Sequence, residues 1–438
     1  MKKLFTSLFA TSLVALAACG NAADEPATTE PTVTPDVDVL DVDTQEVIEL
    51  DFWHAMTGPH EVALDSLIDR FHAEHPYIRI NHEFQGNYGE INTLVSASAL
   101  AGTLPHMVQQ TTDTVTSYVA DGILMPLTGF FNDTFSTDEI NDIVAVFREG
   151  VQWNGEFYSV PFGKSTRVLF VNLDLMEEYN LEIPTTWDEL IEVAQVLRNE
   201  EEGRFGMGFE NGWGAEFIGL TVQHGGEYID EATATAMFGG PEGIAAAQFV
   251  MDLYNDGVAR FAGEDNFLSG VFGAGNVAMY IGSSAGLPHV TNAVDGDFAW
   301  TTAVLPTYNG VGASRFQGND IVMMDNGMSE EEALAAWTFM AFTLRAEETA
   351  QWSADSGYIP VTYSGSQHAN WTNHIAANPH ASAAADQFDA GFMTARVPGA
   401  QQVWQILVEE LANIRLGLYD VETALTRAQE AANAALGN

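Results

Sequence analysis

Two short stretches of this chain carry residue types that do chemistry. Residues 163–166, Gly-Lys-Ser-Thr, set a cation beside two hydroxyls, and Lys164 is the one lysine of the chain beyond Lys2 and Lys3. A loop that cradles nucleotide phosphates needs a further glycine five residues before Gly163, so that backbone N–H groups can wrap the phosphates. Tyr158 stands there instead, which argues against nucleotide hydrolysis. What remains is a turn offering hydroxyls, N–H groups and a positive charge to an anionic or polyhydroxyl ligand. The plainer alternative is that Lys164 pairs with one of the many carboxylates.

The second stretch, Gly282-Ser283-Ser284-Ala285-Gly286, has the form of a nucleophile elbow and follows a strand-like Asn-Val-Ala-Met-Tyr-Ile. A secreted hydrolase would use Ser284 as nucleophile, Asp295, Asp297 or Asp320 as orienter, and His368, His374 or His380 as base. No separate glycine cluster supplies an oxyanion hole, so a binding function ranks ahead of catalysis and no catalytic residue is assigned. The Gly-rich run near Gly273 precedes a strand, whereas a dinucleotide fingerprint follows one. None of the 11 histidines has metal-site spacing, so neither metal nor cofactor is expected. Trp53, Tyr88, Trp213, Tyr358 and Trp404 sit beside Gly, Pro or polar turn residues. Rings that stack on C–H surface and hydroxyls that fix orientation are what a sugar or polyol site needs.

These groups must be held by regular elements. The segment "VIELDFWHAM" alternates as a strand does, Leu64, Leu67, Ile68 and Phe71 follow at helical spacing, and "IRINHEF" alternates again, which predicts a βαβ unit. A helix is predicted over Ile91 to Leu100, a buried strand at "PHMVQQ", and a capped helix opened by Thr186 and Glu189. The tail from Val403 to Leu436 has a helical pattern throughout. Strands and helices alternate without internal repeats, which predicts an α/β architecture.

Composition narrows the function classes. Sixty-one acidic residues against 15 basic ones give a net charge of −46, and the basic residues form no stripe, so nucleic acid is excluded as a partner. The first 18 residues have a basic tip and a short apolar run, the pattern of a secretory leader. "LAAC" then resembles a lipobox, making Cys19 the expected lipidation site, and residues 19–46 read as a lipidated cysteine on a disordered acidic tether. An exported protein is expected, periplasmic or on the outer face of the cytoplasmic membrane and held there by its lipid.

The stretches "DFWHAMTGPHEVALDSLIDRFHAEHPYIRI", "FQGNYGEINTLVSA", "PFGKSTRVLFVNLDLMEEYNLEIPTTWDEL", "NVAMYIGSSAG" and "SGYIPVT" resemble, in order, the solute-binding lipoproteins of ATP-driven importers for sugars and glycerol phosphates. The resemblance implies a two-lobe periplasmic-binding-protein-like α/β fold with a hinge and an interlobe cleft. It places lobe 1 at 47–160 plus 305–345 and lobe 2 at 161–304 plus 346–438. It implies a monomer that delivers a small molecule to the permease subunits of an ABC importer. By the same resemblance Tyr88, Ser165, Ser283, Gly318, Tyr358 and Arg396 match the family's ligand-holding positions, and Trp213 matches a tryptophan stacking on glycerol. Thr112, with Asp113 beside it, falls where the family has a hydroxyl-reading glutamate, Glu216 falls near a second tryptophan, and Lys164 replaces a small polar residue. Trp53 and Arg167 are secondary candidates. With Lys164 and Arg396 at the cleft, the expected ligand is a phosphorylated polyol or phosphodiester, a neutral sugar or glycoside being the alternative.

Overall fold

The computed structural model describes residues 46–264, 266–393 and 395–437. The expected leader, Cys19 and the tether up to residue 45 lie outside the described residues. Strand β1 (Ile48–His54) buries Leu50 and Phe52 and exposes Glu49 and Asp51, the alternation of a half-buried strand. Helix α1 (Pro59–Glu74) buries Leu64, Leu67, Ile68 and Phe71 along one stripe, and β2 (Ile78–Phe84) returns parallel to β1. The predicted βαβ unit is therefore present. Helix α2 (Tyr88–Ala101) opens on a capping box of Asn87 and Glu90. Strand β3 (Met107–Thr111) runs directly into α3 (Thr112–Asp121).

The long strand β4 (Ser159–Asn172) follows, then α4 (Trp187–Leu197), capped by Thr186 and Glu189 as expected. Next come β5 (Phe205–Phe209), α5 (Gly214–Gln223), α6 (Pro241–Asn255) and β6 (Ala259–Phe261). Strands β7 (Val277–Ser283), β8 (Trp300–Ala303) and β9 (Ser314–Met323) precede helices α7 (Glu330–Thr343) and α8 (Ala346–Ser356). The helical tail divides into α9 (Ala400–Arg415) and α10 (Val421–Ala435), with Asp420 capping the second. Among the described residues no helix is long and apolar enough to cross a membrane.

The main sheet has the order β6-β5-β7-β4-β9-β3-β1-β2, and β4 is the strand that joins its two halves. Its first half, Ser159 to Thr166, pairs antiparallel with β9; its second half, Arg167 to Asn172, pairs with β7 and β8. The second half is buried on both faces, and its alternate residues feed different cores. Val168 and Phe170 pack with Phe272 and Tyr280, while Leu169 and Val171 pack with Trp187, Met207 and Phe217. A third connection passes the same point, where the N–H of Ile359 donates to the carbonyl of Lys164 at 2.8 Å.

The Gly-Lys-Ser-Thr stretch is therefore no turn. It lies in the middle of β4, and all 14 residues of that strand are buried. Glycine at 163 is required by a close approach, since a Cβ there would meet the Asn319 amide nitrogen at 2.6 Å. Opposite Lys164 stands Gly318, with φ at +121° and the carbonyl oxygen of Gly163 only 2.0 Å from where a Cβ would be. A side chain at 318 must both adopt a strained backbone and push two strands apart. Gly318→Ala is expected to lower stability by about 2–4 kcal/mol, read as a shift in the denaturant midpoint. An unchanged midpoint would show that the crossing can spread without penalty.

Candidate functional site

A cavity of about 650 Å³ opens where the strands cross, within the roughly 300–1,000 Å³ usual for small-molecule sites. Its walls come from many elements: the turn after β1, the starts of α1, α2 and α3, strands β4 and β9, the ends of β5 and β7, and one face of α9. Of the residues singled out from sequence, Tyr88, Thr112, Asp113, Ser165, Arg167, Ser283, Gly318 and Tyr358 line it.

The neutral polar groups are tightly organised. Asn319 donates through Nδ2 to the Tyr88 hydroxyl at 2.9 Å, and its Oδ1 accepts from Gln109 Nε2 at 3.0 Å and from the Gly163 N–H at 3.1 Å. Burial drives the Tyr88 phenol well above its ordinary range and that of Tyr358 to about 12, so both stay protonated and neutral. The Tyr358 ring lies between Trp352 (centroids 5.7 Å apart) and His60 (5.2 Å). His60 in turn donates from Nε2 to the carbonyls of Ala285 and Ser356, at 3.1 and 3.0 Å, closing one wall of the cavity.

The charged groups come in matched sets. Arg315 Nη2 contacts Asp113 Oδ2 at 3.0 Å while its guanidinium stacks 4.5 Å over the Trp404 ring. That ring fits because residue 214 is glycine, where a Cβ would meet Trp404 Cη2 at 2.8 Å. Arg167 Nη1 contacts Glu210 Oε2 at 2.7 Å, and its Nε lies 3.1 Å from Glu216 Oε1. Burial raises the Glu210 carboxyl above its ordinary range and the Glu216 carboxyl to about 7, with Arg167 opposing both shifts.

Several expectations need correction. Lys164 does not line the cavity: it is wholly buried behind it, with Nζ 2.6 Å from Asp320 Oδ1 and 3.2 Å from the Thr112 hydroxyl, which donates to Asp320 Oδ2 at 2.8 Å. The simpler reading of this lysine, a carboxylate partner, is the one that holds. Arg396 stays outside the cavity as well, its guanidinium engaged by the carbonyls of Glu149 and Gln152 and by Glu231. Trp213 is buried in the core around Phe217 and Phe261, and Trp53 packs beside α2 and α3, because each has apolar neighbours to cover it. Glu216 sits behind Arg167 and faces a smaller void. Ser284 is buried, with its hydroxyl accepting from the Thr166 N–H at 3.4 Å and no histidine among its hydrogen-bond partners, so the hydrolase geometry is not assembled. Among the described residues no group of three or more His, Cys, Asp or Glu side chains is arranged to hold a metal.

The residues missed from sequence include Arg315, Glu210 and His60, whereas Trp404, one of the five turn-side aromatics, lines the cavity. Arg315 left one signal: an arginine inside a strand-like run three residues before Gly318.

Comparison with known proteins agrees with this architecture. The chain is 25% identical over 422 residues to the sn-glycerol-3-phosphate-binding periplasmic protein UgpB of Pectobacterium atrosepticum, covering 90% of this chain and 92% of that one. Among solved structures, UgpB from Mycobacterium tuberculosis in complex with glycerophosphocholine superposes with a TM-score of 0.77 at 24% identity, covering 89% of this chain and 98% of that one. The GacH receptor of Streptomyces glaucescens, solved unliganded and with acarbose, gives a TM-score of 0.78 at 19% identity over 90% of this chain and 99% of its own. The sequence pattern of the bacterial extracellular solute-binding proteins matches residues 66–381, which takes in the whole of the strand crossing that frames the cavity, and the chain belongs to that family.

Proposed function

We propose that this solute-binding protein of an ABC importer captures a polyhydroxylated solute with no net negative charge, a neutral sugar or glycoside, and delivers it to its permease. One observation carries the ligand class: the two guanidiniums that line the cavity, Arg167 and Arg315, are each already held by a carboxylate that lines it too, Glu210 and Asp113. An anion entering would compete with carboxylates already in place and repel them. A hydroxyl accepts from the guanidinium and donates to the carboxylate at once, so side-by-side pairs suit sugars. The two cations that favoured a phosphate ligand, Lys164 and Arg396, are occupied elsewhere. The tyrosine hydroxyls and the Trp404 ring add neutral donors and a stacking face.

A second reading, a phosphorylated polyol, draws support from relatives at 25% identity named for sn-glycerol 3-phosphate binding. Thermal melting with maltose, trehalose, glucosylglycerol, glycerol 3-phosphate and glycerophosphocholine separates the two. A neutral sugar or glycoside at a hundred times its dissociation constant is expected to add about 2.7 kcal/mol and raise the melting point, with glycerol 3-phosphate inert. A shift with the phosphates alone would overturn the neutral-ligand reading.

A further inference from the structure

Behind the cavity wall, two carboxylates share one guanidinium in a place water barely reaches. Arg167 is 7% exposed, Glu210 7% and Glu216 3%. Glu210 and Arg167 face the ligand cavity, whereas Arg167 and Glu216 also border a second void of about 10 Å³, too small to hold more than about one water. Neither carboxylate oxygen of Glu216 has a well-formed hydrogen bond: its own backbone N–H approaches the carboxylate, and Arg167 Nε lies in contact but misaligned. Of the other wall residues of that void Arg315 is charged, and the rest, among them Trp187, Gln223 and Leu305, are not.

The charged neighbours that face Glu216 are Arg167 from β4, Glu210 after β5 and Arg315 from β9, the last already paired with Asp113 from α3. The phenols nearby, Tyr280 from β7 and Tyr228 after α5, are held neutral by burial. Counting Asp113, the group has three carboxylates to two guanidiniums. One negative charge is in excess, and Glu216 is the member with the least solvent and the fewest donors.

We propose that Glu216 is a proton-linked positioning residue: it holds Arg167 toward the cavity from behind, and it takes up a proton from solvent when ligand occupies the front. A ligand oxygen that accepts from Arg167 draws positive potential away from Glu216. Filling the cavity also removes the water that screens Glu210, whose charge is then felt more strongly behind the wall. Both changes favour the protonated carboxyl. The only bond formed is O–H on the Glu216 carboxyl, and the proton comes from the buffer. Affinity then falls as pH rises through the window in which Glu216 titrates, by at most about tenfold per pH unit for one proton.

Two measurements test this, and only one depends on the ligand proposed above. Infrared spectra of the free protein near pH 7 are expected to show a protonated-carboxyl stretch that Glu216→Gln removes; its absence from the wild type would overturn the assignment. Calorimetric titration with maltose, trehalose and glucosylglycerol, near pH 7 in buffers of different ionisation enthalpy, is expected to show fractional proton uptake for whichever sugar binds. Glu216→Gln is expected to bind without uptake and with a flat pH profile. Uptake that persists in Glu216→Gln, or a wild-type enthalpy independent of buffer, would sink the linkage. If none of the three sugars binds while the infrared band is present, the ligand reading fails and the buried proton stands.

Discussion

Lys164→Met is expected to lower the stability of the protein by about 3–5 kcal/mol, the usual penalty for removing one partner of a buried ion pair. Lys164 and Asp320 are both fully buried, and the 2.6 Å contact between them, with Thr112 donating to the other oxygen, is what the Asp320 carboxylate has in place of water. Even with Lys164 present, burial holds the Asp320 carboxyl above its ordinary range. Without the lysine it rises further, so the variant must either hide a bare charge or carry a proton at neutral pH. A group whose pKa is raised by folding stabilises fully below its unfolded value and progressively less as pH climbs. The deficit of Lys164→Met should therefore be small at mildly acid pH and grow toward alkaline pH. The double variant Lys164→Met/Asp320→Leu removes both charges and is expected to recover most of the loss, since apolar replacement of a buried pair is often neutral or better. Urea titrations of the wild type and both variants at two pH values check this. A single variant within about 1 kcal/mol of wild type, or a double variant no better than the single, would show that the pair does not hold the crossing together.

That ion pair also marks how far local sequence could lead. The βαβ unit was legible because Leu64, Leu67, Ile68 and Phe71 fall on one helical stripe between two alternating strands, and each element covers only its own neighbours. The capped helix after Thr186 was legible because its cap is made within four residues. The Gly-Lys-Ser-Thr stretch misled because glycine and polar side chains ordinarily mark turns, and what makes it strand is distant in sequence: β9 on one side, and Asn319 pressed against Gly163. Site residues divide the same way. Tyr88, Thr112 and Asp113, placed by the family resemblance, stand at helix starts and line the cavity. The cavity arginine beside Asp113 is Arg315 and the cavity tryptophan is Trp404, whereas Arg396 and Trp213 were the expected pair. Trp404 rests on Gly214, next to Trp213 in the chain, so the expected place in the fold was nearly right and the ring was wrong. Which of two adjacent rings faces ligand is decided by which has a core to enter, and Trp213 has one.

The largest effect on binding is expected from Arg167→Gln, with an affinity loss on the order of 10-fold to 150-fold. A charge-assisted hydrogen bond contributes about 1.5–3 kcal/mol, and the guanidinium has donors to spare after Glu210 takes Nη1 and Glu216 approaches Nε. Its position is fixed from two sides before ligand arrives, so little ordering is needed on binding. The single variant leaves Glu210 and Glu216 facing each other without their cation, and part of any lost binding could then reflect a disturbed wall. Arg167→Gln/Glu216→Gln answers this by removing one negative charge together with the positive one. It is expected to melt closer to wild type than the single variant does while binding equally poorly. Arg396→Ala is the comparison at equal net-charge change: its guanidinium is engaged by backbone carbonyls and Glu231 outside the cavity, and a loss below about tenfold is expected, the size of a rim charge. Calorimetric affinities for the sugar that shifts the melting point order the three variants. An Arg396→Ala loss larger than that of the folded double variant would move the recognition of ligand away from Arg167 and out toward the edge of the cleft.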